Sequence, residues 1–413
     1  MKHAIEAPHK STSIENSSDN EIVYPDENIS PNQPQGEQPK RSPTASRPRV
    51  RAKRRLTLTA ADSLRTPSSS PDDMDTEAER GLIHGIDAST IKVASPLFRG
   101  RKRWSVGTET DGHRRESFCD KSTSVKGHKF CPSASGVGYA CKKGLKPVSP
   151  NQDSFLIIRV EGGVSVYGVF DGHGRVGHDV SNFCKDQIAR LLFESKLFTS
   201  GSDIPQALKS AFATTQSLLE QETRAGRLDA TSSGTTATVV VQRPDELFVA
   251  HVGDSRCVLT CRSDPSAVYE LTIDHKPQIP AERERIIANG GVVIKPPADV
   301  NHRVYVKNQK FPGLAMSRAL GDLVGYFGAG ISAEPDVCKI DLTEKEWDTL
   351  VLCSDGVWEF VTNEECAEMV SEFSAGCEMK AAEALCKDSW DRWIKEENGY
   401  IVDDITALVV SLK

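Results

Sequence analysis

The chain changes character about a third of the way along. From about Gly136 onward, short apolar runs recur at 155–160, 164–170, 235–241, 247–252, 257–260, 349–353 and 405–412. Their length, and their content of Val, Ile, Thr and Phe, predict strands. Between them lie stretches whose apolar residues return at helical spacing. Val180, Phe183, Ile188, Leu191 and Leu192 define one, and Leu208, Ala211, Phe212, Leu218 and Leu219 a second. A late third carries Ala382, Leu385, Trp390, Trp393 and Ile394. Helices grouped in blocks between strands predict an α+β fold, with helices packed outside antiparallel sheets.

Residues 1 to about 130 show neither period. They are crowded with Ser, Thr, Pro, Asn and charge, and bury too little apolar surface to offset their chain entropy. The expected organisation is a mostly disordered, regulatory extension at 1–130 and a folded domain at 131–413. Within the extension, residues 47–55 (Arg-Pro-Arg-Val-Arg-Ala-Lys-Arg-Arg) and 99–103 are basic, with an acidic stretch at 72–79 between them. Such runs read as solvated segments, or as a nuclear-import signal or docking patch. Thr57 and Ser105 follow basic residues as basophilic kinase sites do, and Ser42, Thr66, Ser70 and Ser95 each precede Pro. Kinases acting on the extension are therefore expected partners.

Composition narrows the function classes. Among 413 residues, 51 basic side chains face 58 acidic ones, a net charge of -7 that gives no reason to expect nucleic-acid binding. The basic runs are short and lack interleaved aromatics for base stacking. No apolar run approaches the roughly 18 residues of a membrane span. Residues 1–6 lack the apolar core of a signal peptide, and Lys2 is not a myristoylated glycine. The 11 cysteines, an odd number without framework spacing, read as reduced thiols in cytoplasm or nucleus. His113, Cys119, His128 and Cys131 fit no common zinc pattern. A monomer is expected.

The chemistry gathers where apolar runs begin or end. Asp153 immediately precedes the 155–160 run, and Asp171 closes the next in Val169-Phe170-Asp171-Gly172-His173-Gly174. Asp403, with Asp404 beside it, opens the last run, while Asp254, Asp322 and Asp355 lie in similar turns. Any one such Asp is explained by turn chemistry. Together, carboxylates held by strand ends supply the oxygen ligands that hard divalent cations prefer.

The motifs also occur in a telling order. Asn151-Gln152-Asp153, the Asp171-Gly172-His173-Gly174 turn, Ser233-Gly234-Thr235-Thr236-Ala237, Val252-Gly253-Asp254-Ser255-Arg256 and Asp274-His275-Lys276-Pro277 come first. Ser317-Arg318-Ala319-Leu320-Gly321-Asp322, Ser354-Asp355-Gly356-Val357-Trp358 and Asp403-Asp404-Ile405-Thr406 follow. This series resembles the metal-dependent Ser/Thr protein phosphatases of the protein phosphatase 2C type, over roughly residues 136 to 413.

The resemblance implies a β-sandwich of two antiparallel sheets flanked by pairs of helices. It also implies two Mg2+ or Mn2+ ions in a cleft at one end, with phosphoproteins as substrates. Asp171 would bridge the ions, the Gly172 carbonyl would join one, and Asp322 and Asp403 would complete the other's shell. Asp153 would be a ligand or an orienter of water, and Asp254 with Asp322 would hold a weaker third ion. A metal-activated water would attack phosphorus without a phosphoenzyme intermediate, and His173 would be the general acid. Lys143, with Lys146 as rival, would bind substrate phosphate in place of the Arg common in relatives. Two further departures are Gln152, where many relatives have Glu, and Asp404, where many have Asn. Residues 276–314 correspond to a variable flap, in which several prolines leave room only for a short helix near 281–288. Loss of metal carboxylates would instead mark a catalytically silent scaffold, but Asp153, Asp171, Asp322 and Asp403 are all present.

Overall fold

The computed structural model describes residues 102–412, apart from 129, 130, 263, 265, 266 and 298. Most of the expected extension lies outside the described residues. Two sheets, antiparallel throughout, make the body. The first orders its strands Asp336–Asp341, Glu246–Val252, Ala237–Gln242, Ser165–Phe170, Ser154–Val160, Arg103–Thr108 and Thr123–Gly127. The second runs Val268–Glu270, Arg256–Cys261, Trp347–Cys353, Ile405–Ser411 and Val137–Lys142.

Alternation along each strand explains the layers. Phe155, Ile157, Tyr167, Val169, Val240 and Val249 of the first sheet pack against Cys257, Leu259, Leu350, Leu352, Leu408 and Val410 of the second. Their neighbours point outward. Leu156, Ile158, Val166, Val239 and Ala250 meet the helices Gly177–Glu194 and Ile204–Arg224. Ala140, Val351, Ile405 and Val409 meet Asn363–Ser371 and Glu378–Glu396. Strands covered on both faces carry apolar residues at nearly every position, which is why the sequence shows continuous runs. Two of these helix starts carry local side-chain caps. Asp203 accepts from the Gln206 amide at 2.9 Å, and Thr362 with Glu365 forms a reciprocal capping box.

The α+β sandwich expectation holds, and all seven apolar runs are strands. The first two strands are a finding. Arg103–Thr108 pairs with Ser154–Val160, and Thr123–Gly127 forms the sheet edge. Both fall in the stretch assigned to the extension, so the folded body begins by Arg103 rather than at 131. The second escapes a hydrophobic reading because an edge strand with one wet face, Thr-Ser-Val-Lys-Gly, needs no apolar run. Ser105, expected as a kinase acceptor, is buried in this sheet opposite Lys126 and Ile158.

The flap contains the expected short helix, Pro280–Ala288, beside a three-stranded sheet of Gly291–Ile294, Arg303–Val306 and Pro312–Leu314. Its own small core joins Ile286, Val304 and Leu314 to Ala319, Ala329 and Ile331, so the unit extends past 314. Glu282 ties it down, accepting from Ser317 and from Arg318 at 2.7 Å. Burial alone would raise the Glu282 carboxyl; bonds from Arg318, Ser317 and Arg285 win and hold it at about 2.

Candidate active site

Antiparallel register brings distant carboxylates to one end of the sandwich. Ser154 pairs with Phe170, so Asp153, before one strand, and Asp171, after the other, leave the sheet together. In the second sheet Cys353 pairs with Ala407, which sets Asp355 beside Asp403 and Asp404. Asp254 sits where the chain passes from Val252 in the first sheet to Arg256 in the second. Ser354 joins the two halves: its hydroxyl donates to Asp153 Oδ2 at 2.8 Å and accepts from the Thr406 amide at 3.0 Å.

A small ribbon positions the imidazole. Gly172–His173, Gly234–Thr235 and Leu320–Gly321 pair so that Gly234 lies between His173 and Gly321. Asp322 follows in the left-handed region, φ 45°, a conformation costly for a residue with a Cβ. Its Oδ2 lies 2.6 Å from His173 Nε2. A Cβ on Gly234 would overlap that carboxylate, so only glycine leaves room for the pair.

The carboxylates are crowded, with Asp153, Asp254, Asp403 and Asp404 buried and Asp171 and Asp355 half-buried. Asp171 stands well above the usual carboxylate range because the site desolvates it and it faces Asp355, Asp153 and Asp403. Burial, Asp403 and Asp254 do the same to Asp355. Burial and Asp404 lift Asp153 to about 7. Two ammonium groups oppose this charge. Lys146 pairs with Asp403 and, at 3.3 Å, with Asp404; Lys276 donates to Asp254 at 2.5 Å. Burial works against the Lys146 charge, but Asp403, Asp404 and Asp171 hold it well above the ordinary lysine range. For His173 burial likewise opposes protonation, yet Asp322 and Asp254 leave its affinity raised.

The structure shows the surroundings of three of these side chains. Asp322, expected in a metal shell with Asp403, places its Oδ2 against His173. Asp355 lies within hydrogen-bond reach of Asp171 and faces Asp403. Its signal was visible, since it follows the 349–353 run as Asp171 follows the 164–170 run. Lys143, preferred for substrate phosphate, is buried and donates to the Lys146 carbonyl at 2.7 Å and the Gly144 carbonyl at 3.1 Å. Lys146 is the ammonium among the carboxylates. The two departures from the family pattern have local reasons. The Gln152 amide donates to the Gly174 carbonyl at 2.6 Å, a bond that a glutamate carboxylate could not make. Asp404 accepts from the amides of Gly144 at 2.8 Å and Gln152 at 3.0 Å, stapling the first motif to the last strand.

The residues fit divalent cations. Asp153, Asp254 and Asp355 each bury an Oδ1 without a hydrogen-bond partner among the described residues. Unpaired buried carboxylate oxygens are costly, and a hard cation satisfies several at once.

A second cluster has metal-like spacing but other chemistry. His251, His275 and Asp336 bring ligand-type atoms within 4.8 Å of one another. His275 Nδ1 accepts from the Gly253 amide at 3.1 Å, so its Nε2 carries the proton given to Asp336 Oδ2 at 3.2 Å. Arg318 holds the other Asp336 oxygen at 2.8 Å. His251 stacks on His275 with centroids 4.4 Å apart, and burial plus that neighbour pulls its pKa down to about 3. The folded state therefore binds fewer protons than the unfolded one between about 6.5 and 3, and stability falls as pH falls through that window. At 1.36 kcal/mol per unit, the loss from pH 6.5 to 4.5 is about 2–3 kcal/mol. Denaturant melts of His251→Asn should show a slope shallower by that amount; parallel wild-type and variant slopes would refute the assignment.

Comparison with known proteins agrees with the geometry. Residues 149–396 match the family model described as protein phosphatase 2C. A probable protein phosphatase 2C 73 of Arabidopsis thaliana is 34% identical over 296 residues, covering 66% of this chain and 77% of that protein. A probable protein phosphatase 2C 48 of Oryza sativa subsp. japonica is 34% identical over 350 residues, covering 77% and 98%. The crystal structure of serine-threonine phosphatase 2C from Toxoplasma gondii shares the fold, with TM-score 0.59 at 20% identity over 75% of this chain and 99% of that one. The chain belongs to the protein phosphatase 2C family, whose members are metal-dependent protein phosphatases.

Proposed function

We propose that the chain is a Mg2+- or Mn2+-dependent phosphatase of phosphoserine and phosphothreonine in proteins, working without a phosphoenzyme. The observation that carries this reading is the group of buried Asp carboxylates with unpaired oxygens at one end of the sandwich. Asp171, the Gly172 carbonyl, Asp355 and Asp403 would hold two ions, with Asp153 as a further ligand or a water orienter. Asp254, beside Asp355, would serve a weaker third. When bound, the ions supply charge that activates water and offsets phosphoryl oxygens.

The protein's own groups do the rest. His173 gives Nε2–H to Asp322, and its Nδ1 has no protein partner among the described residues. The protonated ring delivers that Nδ1 proton to the departing serine or threonine oxygen and becomes neutral. Asp322 fixes the ring's orientation. Lys146 binds substrate phosphate as a point charge, exchanging one of its Asp contacts for it. Kinases acting on the extension would regulate the enzyme at sites other than the buried Ser105, and a monomer in cytoplasm or nucleus fits the expected thiol chemistry. Among the described residues no helix is long and apolar enough to cross a membrane.

Phosphate release from a phosphothreonine peptide, with Mn2+, Mg2+ or chelator, tests the proposal. Release with either metal and none with chelator is expected. Absence of release from folded protein under every metal would replace the enzyme with a silent scaffold.

A further inference from the structure

Residues 109–122 form a strap across the open edge of the sandwich. The chain leaves the first sheet after Thr108, pairs with the edge of the second, and returns at Thr123. The Phe118 amide donates to the Lys143 carbonyl at 2.8 Å, Lys143 to Cys119 at 3.0 Å, and Lys121 to Cys141 at 3.0 Å. Asp120 ion-pairs Lys142, and the Phe118 ring sits 4.5 Å from that of Trp390. The Glu109 amide donates to the Ser122 carbonyl at 2.9 Å and closes the strap. None of it falls within residues 149–396 that match the family model.

The strap sends one side chain inward. Lys121 is 7% exposed, and its ammonium donates to the Asp153 carbonyl and, at 3.3 Å, to Ser154 Oγ. Ser154 Oγ lies 3.0 Å from Ser181 Oγ, which donates to the Gln152 carbonyl at 2.6 Å. Burying an ammonium is expensive, and an apolar residue would fill the same volume at less cost. What the ammonium grips is the peptide whose orientation aims the Asp153 carboxylate.

We infer that Lys121 is a positioning residue for the active site, holding the Asp153–Ser154 peptide so that the Asp153 carboxylate meets the bound cations. The strap is accordingly part of the catalytic unit. This rests on the metal-dependent reading above. A second buried lysine supplies the control. Lys185 donates to the Thr108 carbonyl at the strap's root and to Asn182 at 2.7 Å, without a bond to Asp153.

The test titrates Mn2+ into full-length protein, following free Mn2+ by electron paramagnetic resonance, with thermal melts of the same samples. Lys121→Met is expected to raise the Mn2+ Kd about tenfold or more. Lys121→Gln, which keeps a donor without the charge, recovers part of the loss and serves alone should the Met variant not fold. Lys185→Met lowers Tm but leaves the Kd within about threefold. Tighter Mn2+ binding by Lys121→Met would overturn the inference, since simple charge repulsion predicts that sign. An unchanged Kd, or equal weakening by Lys185→Met, would overturn it too. Wild-type protein that binds no Mn2+ would instead sink the metal-dependent reading itself.

Discussion

Asp355→Asn should lower metal-dependent phosphate release by about 10³-fold, while Asp322→Asn leaves metal binding nearly intact. Asp355 buries its Oδ1, reaches Asp171, and faces Asp403 and Asp254. Losing its charge would weaken the proposed cation site, where metal stabilisation of the transition state is worth several kcal/mol. About 4 kcal/mol corresponds to the 10³-fold loss. The Mn2+ titration of this variant should show weakened binding and the melt an intact fold. Asp322 contacts His173 instead. Its loss would leave the proposed ligands in place and act through the ring, so turnover should fall with Mn2+ affinity preserved. Equal loss of Mn2+ affinity in both variants would return Asp322 to the metal shell.

His173→Gln should separate substrates by their leaving groups. A serine or threonine alkoxide is strongly basic and needs a proton as the P–O bond breaks, and general-acid help is worth about 10²–10⁴-fold. The p-nitrophenolate ion leaves without one. The variant is expected to lose that factor on a phosphothreonine peptide and only a few-fold on p-nitrophenyl phosphate. Asp322→Asn should show the same pattern in weaker form, because the ring stays but loses the carboxylate 2.6 Å away. A uniform loss on both substrates would make His173 a structural or phosphate-binding group rather than the proton donor.

Much of the fold was legible before any coordinates. Strands covered on both faces announce themselves as apolar runs, and the helices Gly177–Glu194, Ile204–Arg224 and Glu378–Glu396 follow the periods read from the chain. Elements with one wet face did not. Thr123–Gly127 alternates exposed and half-buried residues, and the flap strands are only three or four residues long. The strap is held mainly by backbone bonds that any sequence can make, so Lys121 resembled an ordinary solvated lysine.

What the sequence by itself determined is the chemical inventory: carboxylates at the ends of apolar runs, an imidazole two residues after Asp171, and the ordered motifs of a phosphatase family. Those are local properties, written in spacing and side-chain type. Which carboxylate faces which partner was decided only by the tertiary structure. Asp322 and Asp355 each follow a short run and look alike in the chain, yet the ribbon beside Gly234 turns one toward His173. The register of Cys353 with Ala407 sets the other at the cation cluster. Lys143 and Lys146 were likewise equivalent as positive charges until the packing of Gly144 against Asp403 put one on backbone carbonyls and the other among the carboxylates. The physical reason is common to all three cases. A side chain's direction depends on the strand pairing and close packing around it, and these join residues far apart in the chain.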